Sequence, residues 1–321
     1  MSFSLGDTLA GLLNASFGNA VEIIVGVAAL LQDEIRIVQT SMLGSILSNI
    51  LLVLGCSFVA AGCVRVESNF QVTAAQASSS LMTLACITLV IPAAFQFAVG
   101  AQDKRGLAII SRGTSILLLG VYIIYIYFQL KTHAFLYDPK VAPPNEGETE
   151  SAERLQRVAE AESNEKEPPK MNLLSATIGL LTATVVTSFC ADYLVASIEE
   201  TAERYHIPKP FIGLILLPIV ANAAEHVTSV WMAMKNKMEL TIGICVGSSI
   251  QIATFVVPLL VIIGWITGHD LSLYFANFET VVLFVSVLLT NTLIQDGKSN
   301  YMEGVMLLTL YLVISLAFWV A

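Results

Sequence analysis

Apolar runs long enough to cross a bilayer recur along these 321 residues, at about 5–31, 36–62, 71–98, 109–130, 172–199, 210–234, 240–266, 275–295 and 301–320. Each is near the roughly 20 residues that a helix needs to span hydrocarbon. A backbone in lipid must satisfy its own polar groups, so helices are expected. A barrel would alternate apolar and polar residues in strands of about ten; these runs are too long and too uniformly apolar. Only 13% of residues are charged, against about 25% in soluble domains. The expectation is an all-α membrane protein of about nine transmembrane helices, surrounded by lipid and not by nucleic acid.

The opening MSFSLGDTLA lacks the basic region and short apolar core of a secretory leader. Five cysteines, Cys56, Cys63, Cys86, Cys190 and Cys245, form no C-x-x-C pair. They read as small packing residues, not as a zinc site or disulfide framework. Charge concentrates in residues 131–171, where the stretch from Asp138 to Pro169 holds nine acidic and four basic residues. That segment reads as a solvated acidic linker with a possible short helix, dividing a first part (1–130) from a second (172–321). Nine spans would put ten Lys and Arg on its side of the membrane and six on the other. The bias of basic residues toward the cytoplasm then makes the acidic loop cytosolic.

Self-similarity is stronger than any single motif. GNAVEII at 18–24 and ANAAEHV at 221–227 share N-A-x-E, so Asn19 pairs with Asn222 and Glu22 with Glu225, each 203 apart. The same offset joins Gly44-Ser45 to Gly247-Ser248. The motifs fall on spans one and six, so equivalent helices cross in opposite senses. Inverted repeats of this kind are a transporter architecture whose site lies near the midplane between the repeats.

The chemistry of these positions suits a hard cation. An acid at mid-membrane costs about 3 kcal/mol on insertion scales and is a functional candidate by default. Asn and Glu at i and i+3 share a helix face. Pro218 and Gly18 favour a bend that would expose backbone carbonyls beside the acids. Ser45, Ser248 and Gln251 add neutral oxygens, which together form a calcium-like inventory with no thiolate cluster. Asn19, Asn222, Ser45 and Ser248 could equally be interhelical glue. Gly44 and Gly247 read as close-packing residues. His226 is a candidate proton-linked group, and Asp192 a candidate on a proton or ion path. Glu279 and Glu303, near helix starts, read as interfacial or dipole-stabilised acids.

GNAVEIIVGVAAL, SMLGSILSNILLVLG, PIVANAAEHVTSV and GSSIQIATFV resemble the calcium/proton exchangers of the CAX type, within the cation/calcium exchanger superfamily and close to fungal vacuolar members. The resemblance covers essentially the whole chain. It implies an alternating-access antiporter of an acidic organelle. A glutamate from each repeat, here Glu22 and Glu225, would hold the cation. Asn19, Asn222, Ser45, Ser248, Gln251 and His226 would be their neighbours at the site. Such relatives have eleven spans, one extra helix followed by five plus five. The present reading has four plus five, so the first helix of repeat one and the leading helix are expected to be absent, as in a truncated or short form.

On this reading Glu22 and Glu225 take calcium or protons in competition, because two ionised carboxylates repel and either load relieves the repulsion. No cofactor is expected; calcium is transported. A sodium/calcium or other divalent cation exchanger would share the scaffold. A channel is disfavoured by paired embedded acids. An intramembrane acid/base enzyme would be a different class, but no H-E-x-x-H, G-x-S-x-G or phosphate-cradling loop occurs.

Overall fold

The structure, a computed structural model, describes residues 18–99, 104–133 and 173–320. Helix α1 spans Ala20–Leu31, α2 Ile35–Gly62 and α3 Val72–Val99. Helix α4 spans Lys104–Tyr127 and runs into a π-helical turn at Phe128–Thr132. Helix α5 spans Leu173–Tyr205. A broken pair follows, α6 (Lys209–Ala221) and α7 (Ala223–Met234), bent by 57°. Helices α8 (Met238–Thr267), α9 (Asn277–Ile294) and α10 (Tyr301–Val320) complete the chain.

Among the described residues seven helices are long and apolar enough to cross a membrane, and the broken pair makes an eighth. Of the expected first span only α1 and the two residues before it are described; its earlier part lies outside the described residues, as does the short helix expected in the acidic segment. The fourth span is longer than its apolar pattern. It starts at Lys104 and ends at Thr132, because polar residues at both ends continue the helix.

Helices α1 and α7 are matched in detail. Each has 12 residues and carries its glutamate in the first turn. Each begins after an asparagine with non-helical dihedrals, Asn19 at φ −108° and Asn222 at φ −88°. Past each lies a residue in the left-handed region, Asp33 at φ 61° and Asn236 at φ 62°, again 203 apart. Asp and Asn tolerate that region because their short side chains bond locally. The helices after them, α2 and α8, each contain a π-helical turn, Ser48–Val53 and Ile252–Val256. Such turns occur often at functional positions.

Helix α2 lies at the centre, with Leu43, Leu47, Ile50, Leu51 and Leu54 fully buried. It crosses α8 there, where Ser249 Oγ donates to the Ile46 carbonyl at 3.4 Å. Against α10 the packing relies on small residues: a Cβ at Gly304 would stand 2.7 Å from the Gly55 carbonyl oxygen. The outer faces of α4, α5, α9 and α10 expose residues such as Leu117, Ile123, Val186, Phe189 and Leu312, as lipid-facing surfaces do. Cys86 and Cys245 pack in the interior, whereas Cys63 and Cys190 are exposed.

Two loops are tied together on one side. Ser68–Asn69 and Lys298–Ser299 form a short antiparallel pair, and Arg65 donates to the carbonyls of Ala233 and Met234 at 2.9 and 2.7 Å. A cation at a helix C-terminus satisfies carbonyls that the helix leaves free. On the opposite side Arg36 pairs with Glu279 at 2.6 Å. Gln39 donates to the Ser272 carbonyl at 3.0 Å. Glu279 sits in the first turn of α9, as its place near a helix start suggested; it is buried, and it accepts the Ala276 N–H at 3.0 Å. Glu303 accepts from the backbone N–H and side-chain amide of Asn300, close to its own helix start.

Candidate cation site

The broken helices bring polar groups to the α2–α8 crossing. Asn19 donates through Nδ2 to Gln251 Oε1 at 2.6 Å and accepts from Ser248 Oγ at 2.9 Å. Asn222 donates to the Ser45 carbonyl at 3.2 Å. Each asparagine thus leaves its own half and bonds to the other. The break also gives each asparagine carbonyl a place in the next helix, bonded to Ile23 N–H and His226 N–H. Proline contributes at the second break: Pro218 lies four residues before Asn222 and still accepts that residue's N–H through its carbonyl, at 2.9 Å.

Glu22 is buried, and its Oε1 has no hydrogen-bond partner. Glu225 is half-buried and stands in the first turn of α7 as Glu22 does in α1. Asn222 Oδ1 and Asn49 Oδ1 are likewise buried acceptors without partners. Buried polar atoms are normally satisfied, so each exception needs a reason. Free carboxylate and amide oxygens of this kind are the donor types a hard cation takes up. Among the described residues no cluster of three His, Cys, Asp or Glu side chains forms, so most ligands to a bound ion would be neutral oxygens.

Two cavities flank this centre. The larger, about 430 Å³, is lined by Glu225, Asn19, Ser248 and Gln251. It extends past Gln71 and Gln129 to Glu239. Its mouth lies where α3 begins, α4 ends and α8 begins. Those ends share the side on which the chain leaves α4 for the polar segment. The smaller, about 50 Å³, is lined by Glu22, Ser45 and Pro218. The two are counterparts by the offset of 203: Gly18, Glu225, Ile244 and Ser248 line one, and Ala221, Glu22, Ser41 and Ser45 the other. Equivalent linings enclose unequal volumes, so the first cavity is wide and the second narrow.

Of the residues singled out from sequence, Asn19, Glu22, Ser45, Asn222, Glu225, Ser248 and Gln251 gather here. His226 is half-buried and lines neither cavity; Asp192 is exposed on the outer face of α5. Gly44 packs tightly, since a Cβ there would meet the Leu214 carbonyl oxygen and Pro218. Gly247 does not, with nothing within 4 Å of such a Cβ among the described residues. Sequence reasoning passed over Asn49, which donates to Ser248 Oγ at 3.1 Å. Its position in an apolar run marks it, but its counterpart in the second half is Ile252, so a search for pairs misses it.

The sequence profile of the family described as "Sodium/calcium exchanger protein" matches residues 1–131 and 175–320. The chain is 46% identical over 322 residues to the vacuolar calcium ion transporter of Schizosaccharomyces pombe, covering 99% of this chain and 73% of that one. It is 40% identical to the Ca2+/H+ antiporter of Synechocystis, over 98% of this chain and 83% of that one. Its fold matches the crystal structure of the Ca2+/H+ antiporter protein YfkE with a TM-score of 0.78 at 33% identity, over 97% of this chain and 85% of that one.

Proposed function

The chain belongs to the sodium/calcium exchanger protein family, and on that footing we propose that it is a secondary antiporter exchanging calcium for protons across a vacuolar membrane by alternating access. Similarity to proteins named as vacuolar calcium transporter and Ca2+/H+ antiporter supports this choice of ions and compartment. The observation that carries the mechanism is the buried Glu22 carboxylate, whose Oε1 has no partner, matched by its repeat-equivalent Glu225 on the lining of the wide cavity.

Glu22 and Glu225 are the exchange pair. Calcium draws both into the ionised state and takes oxygens from Asn49, Asn222 and their neighbours. Two protons remove two negative charges, and the cation leaves. With neither load the two charges repel in a poorly solvated place, so the empty ionised site does not cross. Coupling needs no covalent step, only competition for the same oxygens. Lower pH on one side therefore weakens calcium binding there.

The polar segment 131–171 is read as cytosolic because its side of the membrane carries ten Lys and Arg against six on the other, although the segment itself is acidic. The wide cavity then faces the cytosol, and the narrow one the vacuole lumen. Two halves, 1–130 and 172–321, supply one acid each.

The test is calcium uptake into proteoliposomes driven by a pH gradient. Wild-type protein takes up calcium when the interior is acidic, and a sodium gradient does not replace the pH gradient. Glu225→Gln abolishes uptake while the protein remains folded. Normal uptake by that variant, or sodium-driven uptake by the wild type, excludes the proposal.

A further inference from the structure

The two halves do not carry the same charge at one repeat-equivalent position. The offset of 203 pairs Glu239, in the first turn of α8, with Arg36, in the first turn of α2. Glu239 is exposed and lines the wide cavity that also contains Glu225. Among the described residues it makes no hydrogen bond or ion pair, and no lysine or arginine lines that cavity. The nearest cations in sequence are occupied or turned elsewhere. Lys235 lies 4.9 Å from the Trp231 ring centroid, Arg65 is bonded to the carbonyls ending α7, and Lys237 is not part of the lining. On the opposite side the equivalent position is a guanidinium, fixed to Glu279 and Gln39.

We propose that Glu239 is the loading carboxylate of the wide mouth: it captures calcium from the polar-segment side and passes it to Glu225. This rests on the cation-exchange reading of the site. A cleft lined by one sign of charge and walled by apolar residues concentrates the counter-ion and speeds association, with a strong dependence on ionic strength. The repeat-equivalent residue of the first half, Arg36, is held by Glu279, and among the described residues neither it nor an acid equivalent to Glu239 lines the narrow cavity, so a cation released there meets no equivalent capture. The polarity leaves the equilibrium untouched, since that depends on the gradients alone. It changes how fast and at what concentration each side loads. A first-turn acid also stabilises its helix through the backbone dipole, and the test separates the two roles.

Calcium association with the full chain in detergent is measured by stopped flow for wild type, Glu239→Gln and Glu239→Asp. Ionic strength is set at about 0.01 M and about 0.15 M, where the screening length falls from about 30 to about 8 Å. At low ionic strength Glu239→Gln slows association about three- to tenfold, and dissociation is unchanged; the deficit shrinks at the higher ionic strength, and Glu239→Asp restores the rate. An unchanged association rate in Glu239→Gln overturns the proposal. So does a deficit that ionic strength does not alter, or one confined to dissociation and thermal stability, because those describe a helix-stabilising residue. The readout needs calcium alone, so a failure of proton coupling leaves this test decisive. Absence of calcium binding by the wild type overturns both readings.

Discussion

Asn19 and Gln251 are joined side chain to side chain across 232 positions of sequence, with Asn19 Nδ2 donating to Gln251 Oε1 at 2.6 Å. The same asparagine accepts from Ser248, so one amide holds the carbonyl end of Gln251 and orients the serine hydroxyl. Asn19→Ala removes both bonds and leaves two polar groups less ordered. Loss of a bond to a poorly solvated partner costs about 1–3 kcal/mol, and about 1.4 kcal/mol is tenfold in affinity. The half-saturating calcium concentration for uptake should therefore rise about tenfold, with a smaller effect on melting temperature. Uptake titrated against calcium checks this.

Glu22 should cost the fold stability for the sake of binding. Its Oε1 is buried without a partner, and an amide in its place carries no charge to desolvate. In calcium-free detergent at neutral pH, Glu22→Gln is expected to melt about 2–4 °C above wild type, corresponding to about 1 kcal/mol. Added calcium raises the wild-type melting temperature by mass action, because it binds only the folded state, and leaves Glu22→Gln unmoved. Chelation reverses the gain. A wild type that calcium does not stabilise would contradict the role given to Glu22.

The pairing of Asn19 with Asn222 and of Glu22 with Glu225 was legible because both lie in apolar runs where a polar residue stands out, and because one offset relates them. The same offset extends to Asp33 and Asn236, whose left-handed backbone no periodicity reveals. Rotation about the helix axis was not legible. In a helix that is apolar all round, no stripe marks the inner face, and so the sequence could not tell that, among the described residues, Asp192 and His226 are absent from the linings of the two central cavities. Pairs that broke the repeat were hidden for the opposite reason. Asn49 faces Ile252 in the offset, and Glu239 faces Arg36, so a search for likeness discards the residues in which the halves differ. The place of Glu279 in a first turn was legible from its position at a helix start; its partner Arg36, 243 residues away, was not.

The two G-S pairs should respond differently to a methyl group. At Gly44 a Cβ would meet the Leu214 carbonyl oxygen and would stand 2.6 Å from Pro218 Cγ. Backbone cannot yield as a flexible side chain does, and overpacking typically costs about 1–3 kcal/mol. At Gly247 the space beyond is open among the described residues, and alanine is the better helix former by about 1 kcal/mol. Gly44→Ala should lower the melting temperature by several degrees, whereas Gly247→Ala should leave it level or raise it. Paired thermal melts of the two variants check the contrast.

Arg36 and Glu279 tie the start of α2 to the start of α9 on the side away from the wide mouth. The guanidinium is half-exposed, 51%, whereas the carboxylate is 2% exposed. Screening therefore limits what the pair itself contributes. The larger cost follows from removing the cation alone, since Glu279 then stays buried with the Ala276 N–H and no counter-charge. Arg36→Ala should destabilise by about 2 kcal/mol or more. Glu279→Gln should cost less, because the arginine left behind can turn to solvent. The two changes should not add: Arg36→Ala with Glu279→Gln should be more stable than Arg36→Ala alone, by about 1 kcal/mol for groups in direct contact. Denaturation of the three variants against wild type gives the coupling, and strict additivity would show that the contact carries no energy of its own.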